Sequence, residues 1–195
     1  DPLLHVRRDA INAAATTPER AKTYREQLLH HLKTETDNQI RHTAANGLAL
    51  DKSVGDKAFG DLMFEFAKDR QQGVRFCGFN HLVKARDPRA LEAMRPWLMG
   101  DQKQDAKVLT GMAFQYGDKG RALIAEALEN NGSENGLLGI LKAFNFKKEL
   151  QKNPDRKLLL ALVKCGKNTN SKVLPEAYKM LKTFKGKRKK NPELF

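Results

Sequence analysis

The chain contains few cysteines and no long apolar stretch. Cys77 and Cys165 are its only two cysteines, and neither has a second Cys or a His nearby at a spacing that favours zinc ligation. The longest uncharged stretch, 108–117, is much shorter than the roughly 20 apolar residues that a membrane-spanning helix needs. We therefore expect a water-soluble protein with no metal site, no membrane span and two free, buried thiols. Free thiols favour a reducing compartment such as the cytoplasm.

The common catalytic motifs are also missing. The sequence has no phosphate-binding Gly-rich loop, no Gly-x-Ser-x-Gly motif and no His-Glu-x-x-His helix. His30 and His31 are adjacent, so on a helix they face different directions and cannot share a metal ion. We predict that the protein is not an enzyme and has no catalytic residues and no cofactor. The 40% apolar content is nevertheless sufficient for a continuous core.

A nine-residue pattern recurs along the chain, with copies that begin at residues 6, 40, 74, 106, 135 and 173. Its first, fifth, sixth and ninth places are mostly apolar or small, a spacing that puts them on one face of a helix. The fifth place always holds a small residue, as expected where two helices approach closely: Ala10, Ala44, Gly78, Thr110, Gly139 and Ala177. Each copy therefore indicates the second helix of an antiparallel pair.

The first helix of each later pair is predicted between the copies, over 19–32, 56–68, 88–99, 121–130 and 154–164. Asp87-Pro88 and Asn153-Pro154 place a capping side chain before a proline, which is typical of a helix start. Gly73, Gly100 and Gly132 are expected between helices, where a left-handed residue can end one. No segment has the pattern of a strand, so the predicted fold is all-α.

Acidic and basic residues recur six positions apart in the first four copies: Asp1 and Arg7, Glu35 and Arg41, Asp69 and Arg75, Asp101 and Lys107. This arrangement resembles the HEAT-repeat (armadillo-type) family, in which such residues link neighbouring repeats in a ladder. The resemblance covers residues 1–181, although copies five and six lack the charged pair. It implies a right-handed α-solenoid of about six HEAT-like antiparallel helix pairs, in a family composed mostly of non-catalytic scaffolds with unrelated partners.

The predicted repeat domain covers 1–184, with repeats near 1–16, 19–51, 56–86, 88–117, 119–147 and 154–184. Residues 185–195 form a basic tail that we expect to be flexible. The first copy has only its second helix, and the end of a solenoid normally carries a polar cap. We therefore expect the native chain to extend upstream of Asp1.

The net charge of +13 is concentrated in the last third of the chain. Residues 141–195 contain 16 Lys and Arg against four acidic residues, and Lys predominates. Lysine-rich surfaces attract nucleic acids and other polyanions through diffuse charge, without reading a sequence. The residues predicted to carry such binding are Lys147, Lys148, Lys152, Lys157, Lys185, Lys187, Arg188, Lys189 and Lys190.

The third and seventh places of each copy are predicted to face outward on the concave side of the solenoid. They are Arg8, Asn12, His42, Asn46, Phe76, Asn80, Val108 and Met112, continued by Leu137 and Leu141. The leading hypothesis is a monomeric scaffold that binds a protein or peptide partner on this stripe. If the register is shifted by one residue, the apolar members belong to the core instead.

Two other functions stay open at this point. The first is nonspecific binding of nucleic acid or another polyanion by the basic third. The second is a HEAT-like alkylpurine DNA glycosylase, a class that the chain resembles in architecture and basic charge. Those enzymes depend on aromatic residues and an aspartate in a cleft, whereas Trp97 is the only Trp here and is expected in the core.

Overall fold

The computed structural model describes residues 3–143, 146–152, 155–168 and 172–182, and every regular element within these ranges is helical. The α-helices are α1 Leu4–Ala14, α2 Pro18–Thr23, α3 Arg25–Thr34, α4 Asn38–Leu50, α5 Asp56–Ala67, α6 Gln72–Lys84, α7 Arg89–Leu98, α8 Lys103–Ala113, α9 Asp118–Asn130, α10 Glu134–Leu141, α11 Phe146–Lys152, α12 Arg156–Asn168 and α13 Val173–Lys182. A 3₁₀ turn, Phe114–Tyr116, follows α8. The all-α prediction is confirmed. The chain divides into two compact units, residues 1–90 and 91–195.

Unit 1 is built around the second helices of the first three copies. Helix α4 packs against both α1 and α6, while α3 pairs with α4 and α5 pairs with α6. The core between them contains Leu28, Leu48, Met63 and Phe79, none of which is more than 1% exposed. Each helix turns its apolar stripe to this core, as the 3.6-residue period of the pattern requires.

Unit 2 is packed differently, because α9 contacts α12 more extensively than it contacts α10, the next helix along the chain. Helix α10 packs against α8 and α13, α9 packs against α12, and α12 pairs with α13. The buried Asn131 connects two loops, since its Nδ2 donates hydrogen bonds to the carbonyl oxygens of Leu98 (2.7 Å) and Gly100 (3.0 Å). Its Oδ1 accepts a hydrogen bond from the backbone N–H of Ser133. This buried amide therefore satisfies backbone carbonyl groups near the end of α7.

The small fifth places mark close helix contacts, as expected. At Gly78 a Cβ atom would lie 2.4 Å from the carbonyl oxygen of Met63, so α5 and α6 meet backbone to backbone. Ala44, Gly139 and the other later members are also buried. Ala10 is the exception. It is exposed, because α1 turns Ile11 and Ala14 towards the interior instead.

Arginine side chains link neighbouring second helices in unit 1. Nη2 of Arg41 lies 2.6 Å from Oδ2 of Asp69, and its Nε donates to the carbonyl oxygen of Leu32 at 2.9 Å. Nε of Arg7 lies 3.1 Å from Oε1 of Glu35. Each arginine thus contacts the acidic residue of the following copy, which gives these charged residues a structural role.

Some elements differ from the expectation. The helix predicted over 19–32 is divided at Tyr24 into α2 and α3, and α2 starts one residue earlier because Thr17 caps it ahead of Pro18. Helix α11 was not predicted; its first residue, Phe146, is fully buried against the ring of Phe114. Trp97, expected in the core, is half-buried.

The glycine expectations need correction. Gly73 lies inside α6, where a Cβ atom would come within 2.9 Å of the His42 ring, so its small size serves a close contact. Gly100 and Gly132 lie between helices as expected, but within the described ranges the glycines with a positive φ are Gly55 and Gly117. Of the two predicted helix starts, Asn153-Pro154 lies outside the described residues. At the other, Asp87 accepts a hydrogen bond from the backbone N–H of Arg89, as a capping residue would.

Candidate binding surfaces

Three exposed asparagines occupy the same place on three adjacent helices of unit 1. Asn12 lies on α1, Asn46 on α4 and Asn80 on α6, and all three side chains are exposed. Because α4 contacts both α1 and α6, these amides form a column across the second helices, here called the Asn column. The axes of packed helices generally lie about 8–10 Å apart. Each amide offers hydrogen-bond donors and an acceptor to a ligand.

A polar groove lies beside the column, at the N-terminal ends of α4 and α6. It has a volume of about 610 Å³ and is lined by Asn38, Gln39, His42, Arg70, Gln71, Gln72 and Gly73. His42 is half-buried, and its Nε2 lies 3.2 Å from Nδ2 of Asn46, so the groove and the column are joined. The sequence pattern did not single out Gln39, Arg70 or Gln72, because they precede the faces that periodicity identifies.

Arg8 lies near the N-terminal end of α4, where it forms an ion pair with Asp37. Its Nη2 donates to Oδ2 of Asp37 at 2.7 Å, and Oδ1 of Asp37 accepts from the backbone N–H of Ile40, which caps α4. The hydrogen bond from Arg8 holds the pKa of Asp37 below its usual value. The Arg8 side chain therefore contributes to the contact between α1 and α4.

The apolar part of the predicted stripe is much less accessible. Phe76 is half-buried, with its ring centroid 6.4 Å from that of Phe79. Val108 and Met112, in unit 2, are also half-buried. The expectation for Leu137 and Leu141 is wrong, since they are only 3% and 0% exposed. Helix α10 packs against α8, α9 and α13 and so has little free surface.

Two groups of lysines in unit 2 differ in their surroundings. Lys147, Lys148 and Lys152 on α11 and Lys157 on α12 are exposed, and within the described ranges none of them forms an ion pair. The other group is paired: Nζ atoms lie 2.9–3.5 Å from Glu carboxylates in Lys164–Glu129, Lys172–Glu134 and Lys179–Glu176. Lys185, Lys187, Arg188, Lys189 and Lys190 lie outside the described residues. The first group thus leaves positive charge uncompensated on the surface.

No cluster of three or more His, Cys, Asp or Glu side chains suited to a metal ion occurs in the part of the chain that the structure describes. Each helix in those ranges is too short or too polar to cross a bilayer. Cys77 and Cys165 are buried and are not joined in a disulfide, and burial raises the pKa of each thiol to about 11.

Comparison with known proteins finds no matching family model, no matching curated protein and no matching solved structure.

Proposed function

We propose that this chain is a non-catalytic scaffold of the HEAT-like α-solenoid class, with about six helix pairs, that binds an extended segment of a protein partner along its second helices. The observation that carries the proposal is the Asn column of unit 1, in which Asn12, Asn46 and Asn80 are exposed at one repeat position. The sequential pairs α3–α4 and α5–α6 of unit 1 and α12–α13 of unit 2 support the solenoid class.

The choice of asparagine is informative because it does not favour the helix. In a helix interior Asn is less favourable than Ala by roughly half a kcal/mol, since its side chain competes for backbone hydrogen bonds. Three such residues at exposed positions contribute little to the core. A carboxamide matches the donor and acceptor of a peptide group, so a column of amides suits the backbone of a bound chain.

The spacing of the column favours an extended partner. An extended chain of the polyproline II type advances about 3.1 Å per residue and repeats every three residues, or about 9.3 Å. This repeat falls within the roughly 8–10 Å separation of packed helices, whereas the two-residue repeat of a β-strand, about 6.8 Å, does not. One amide would therefore contact every third peptide group. The groove beside His42 is polar and includes Arg70, so it suits a polar or acidic side chain of the same segment.

The test is to select binders from a random peptide library on the purified protein and to measure their affinities for two triple variants. The first variant, Asn12→Ala/Asn46→Ala/Asn80→Ala, removes the column. The second, Gln27→Ala/Glu65→Ala/Glu92→Ala, removes three exposed side chains of first helices.

Loss of three hydrogen bonds at about 0.5–1.5 kcal/mol each predicts at least 10-fold weaker binding to the column variant. The control variant should bind as the wild type does, and circular dichroism should show the same helix content in all three proteins. Peptides that bind the column variant with unchanged affinity would refute the proposed site.

A second function is supported by the unpaired lysines of unit 2. Lys147, Lys148, Lys152 and Lys157 offer uncompensated charge to the phosphates of a nucleic acid or to another polyanion. Binding of this kind releases counterions, so it should weaken steeply with salt.

Two variants with equal loss of positive charge distinguish binding at these lysines from general electrostatic attraction of polyanions to a basic protein. One replaces Lys147, Lys148, Lys152 and Lys157 by Gln; the other replaces Lys57, Lys164, Lys172 and Lys179, all paired with carboxylates. Binding of mixed-sequence DNA and RNA is measured between 50 and 200 mM salt, with and without residues 185–195.

The first variant should lower the slope of log K against log salt by up to about 0.9 per lost phosphate contact, and the second should leave it nearly unchanged. Equal slopes for both variants, or no binding at low salt, would remove this candidate.

A further inference from the structure

Unit 1 has another groove, formed by the loop before α5, by α5 itself, by the end of α6 and by the residues that begin α7. Its volume is about 600 Å³, within the range of small-molecule sites. None of its lining residues belongs to the Asn column or to the groove beside His42. It is therefore a separate feature from the proposed peptide surface.

The base of this groove is apolar and one wall is aromatic. Met63 and Leu82 line it and are each 1% exposed. The half-buried ring of Phe59 meets the imidazole of His81 edge to face, with centroids 5.4 Å apart and planes at 81°. Such a surface suits a flat apolar body, which gains both burial and ring contacts.

The charges around the groove are unevenly compensated. Lys52 and Lys84 line it, are exposed, and have no ion-pair partner among the described residues. Arg89 is neutralised, because it donates hydrogen bonds to the carboxylates of Asp87 and Asp61. Asp56, at the start of α5, is the other acidic residue that lines the groove.

His81 lies close enough to both lysines to feel their charge. Its pKa is lowered below 6.5, first by partial burial and then by the positive charges of Lys84 and Lys52. Both effects favour the neutral imidazole, whose N–H can donate a hydrogen bond without adding charge. The other charged groups that line the groove around it are Asp56, Asp87 and Arg89.

We propose that this groove binds an aryl phosphate, with Lys52 and Lys84 contacting the phosphate and the ring lying against Phe59 and His81. A phosphate monoester carries close to two negative charges at pH 7, enough to compensate both ammonium groups through charge-assisted hydrogen bonds. A carboxylate would compensate only one. The aryl phosphate can be a small molecule or a phosphorylated tyrosine side chain, and the two sources share this chemistry.

The test is an NMR titration of the full chain with phenyl phosphate at pH 7, with benzoate and a phosphotyrosine peptide as further ligands. Chemical-shift changes are expected at Phe59, His81 and Leu82, and phenyl phosphate should bind at least 10-fold more tightly than benzoate. Tighter binding of the peptide than of phenyl phosphate would assign the source as a modified protein, and the reverse would assign a small molecule.

Two double variants provide the matched comparison. Lys52→Gln/Lys84→Gln should weaken phenyl phosphate binding at least 10-fold. Lys57→Gln/Lys68→Gln removes the same charge from lysines that are paired with Asp61 and Glu65 outside the groove, and it should bind normally. The variant that lacks the Asn column should also bind normally, which separates this proposal from the peptide-binding function.

The titration of His81 supplies an independent readout. In the free protein, Lys52→Gln/Lys84→Gln should raise the pKa of His81, because two positive neighbours are lost. In the wild type, saturation with phenyl phosphate should also raise it, because a nearby dianion stabilises the imidazolium form. An unchanged His81 pKa on addition of phenyl phosphate, equal binding by the two lysine variants, or shift changes confined to other residues would each overturn the proposal.

Discussion

Arg86 is the one non-glycine residue of the described chain with a positive φ, at 56°. It follows the last turn of α6 in a helix-ending motif. The backbone N–H of Asp87 donates to the carbonyl oxygen of Leu82 at 2.9 Å, and that of Arg86 donates to Val83 at 3.1 Å. These two bonds define a Schellman motif, whose left-handed position is usually occupied by Gly. An L-residue there costs roughly 1–2 kcal/mol of backbone strain.

Replacement of this residue tests the strain directly. Arg86→Gly should have a free energy of unfolding about 0.5–1 kcal/mol higher than Arg86→Ala, because glycine relieves the strain but loses more entropy on folding. The alanine variant is the control, since both changes remove the Arg86 side chain. Urea denaturation measures the difference, and equal stability of the two variants would contradict this account of the α6 terminus.

Contact between α8 and α10 in unit 2 depends on the absence of a side chain at Gly139. A Cβ atom there would lie 2.3 Å from the carbonyl oxygen of Lys103, and backbone cannot yield as a flexible side chain can. Gly111 is the matched case on the neighbouring α8. It is also within a helix, but a Cβ atom there would meet nothing within 4 Å.

The two glycines should therefore respond oppositely to alanine. Gly139→Ala should lower the free energy of unfolding by about 2–3 kcal/mol, because α8 and α10 must separate. Gly111→Ala should raise it by up to about 1 kcal/mol through better helix propensity. Thermal or urea denaturation gives both values. A Gly139→Ala variant with the same free energy of unfolding as the wild type would show that α8 and α10 are not in backbone contact.

Across the whole molecule, each compact unit contains one buried thiol, Cys77 in unit 1 and Cys165 in unit 2. With a pKa of about 11, only about 0.1% of each thiol is ionised at pH 8, against roughly a quarter of a thiol with the ordinary pKa of 8.5. Burial also blocks access of a reagent, so the folded protein should react slowly.

Labelling with a disulfide reagent at pH 8 should therefore be at least 100-fold slower in the native protein than in urea. The Cys77→Ser variant keeps only the thiol of unit 2, and the Cys165→Ser variant keeps only the thiol of unit 1. The labelling rate of each variant in rising urea therefore reports the opening of one unit. Rapid labelling of either variant without denaturant would show that its thiol is not protected.

The periodicity of the sequence was sufficient for the helices themselves. The nine-residue pattern located α4, α6 and α8 to within a few residues, because the side-chain period of a helix is a local property. The same register placed Asn12, Asn46 and Asn80 outward, and all three are exposed. It also identified the small residues at close contacts, apart from Ala10.

The pattern could not decide how many neighbours each helix has or which charged side chains form ion pairs. Leu137 and Leu141 belong to the same predicted stripe of third and seventh places as the Asn column, yet they are buried because α10 packs against three other helices. The unpaired lysines of α11 and the paired ones of α12 and α13 look alike in the sequence, and only the folded positions of the glutamates distinguish them. The sequence by itself determined the helices and their apolar faces, since these depend on local spacing. Tertiary structure alone decided which faces stay exposed and which charges stay free, because both depend on contacts between residues distant in the chain.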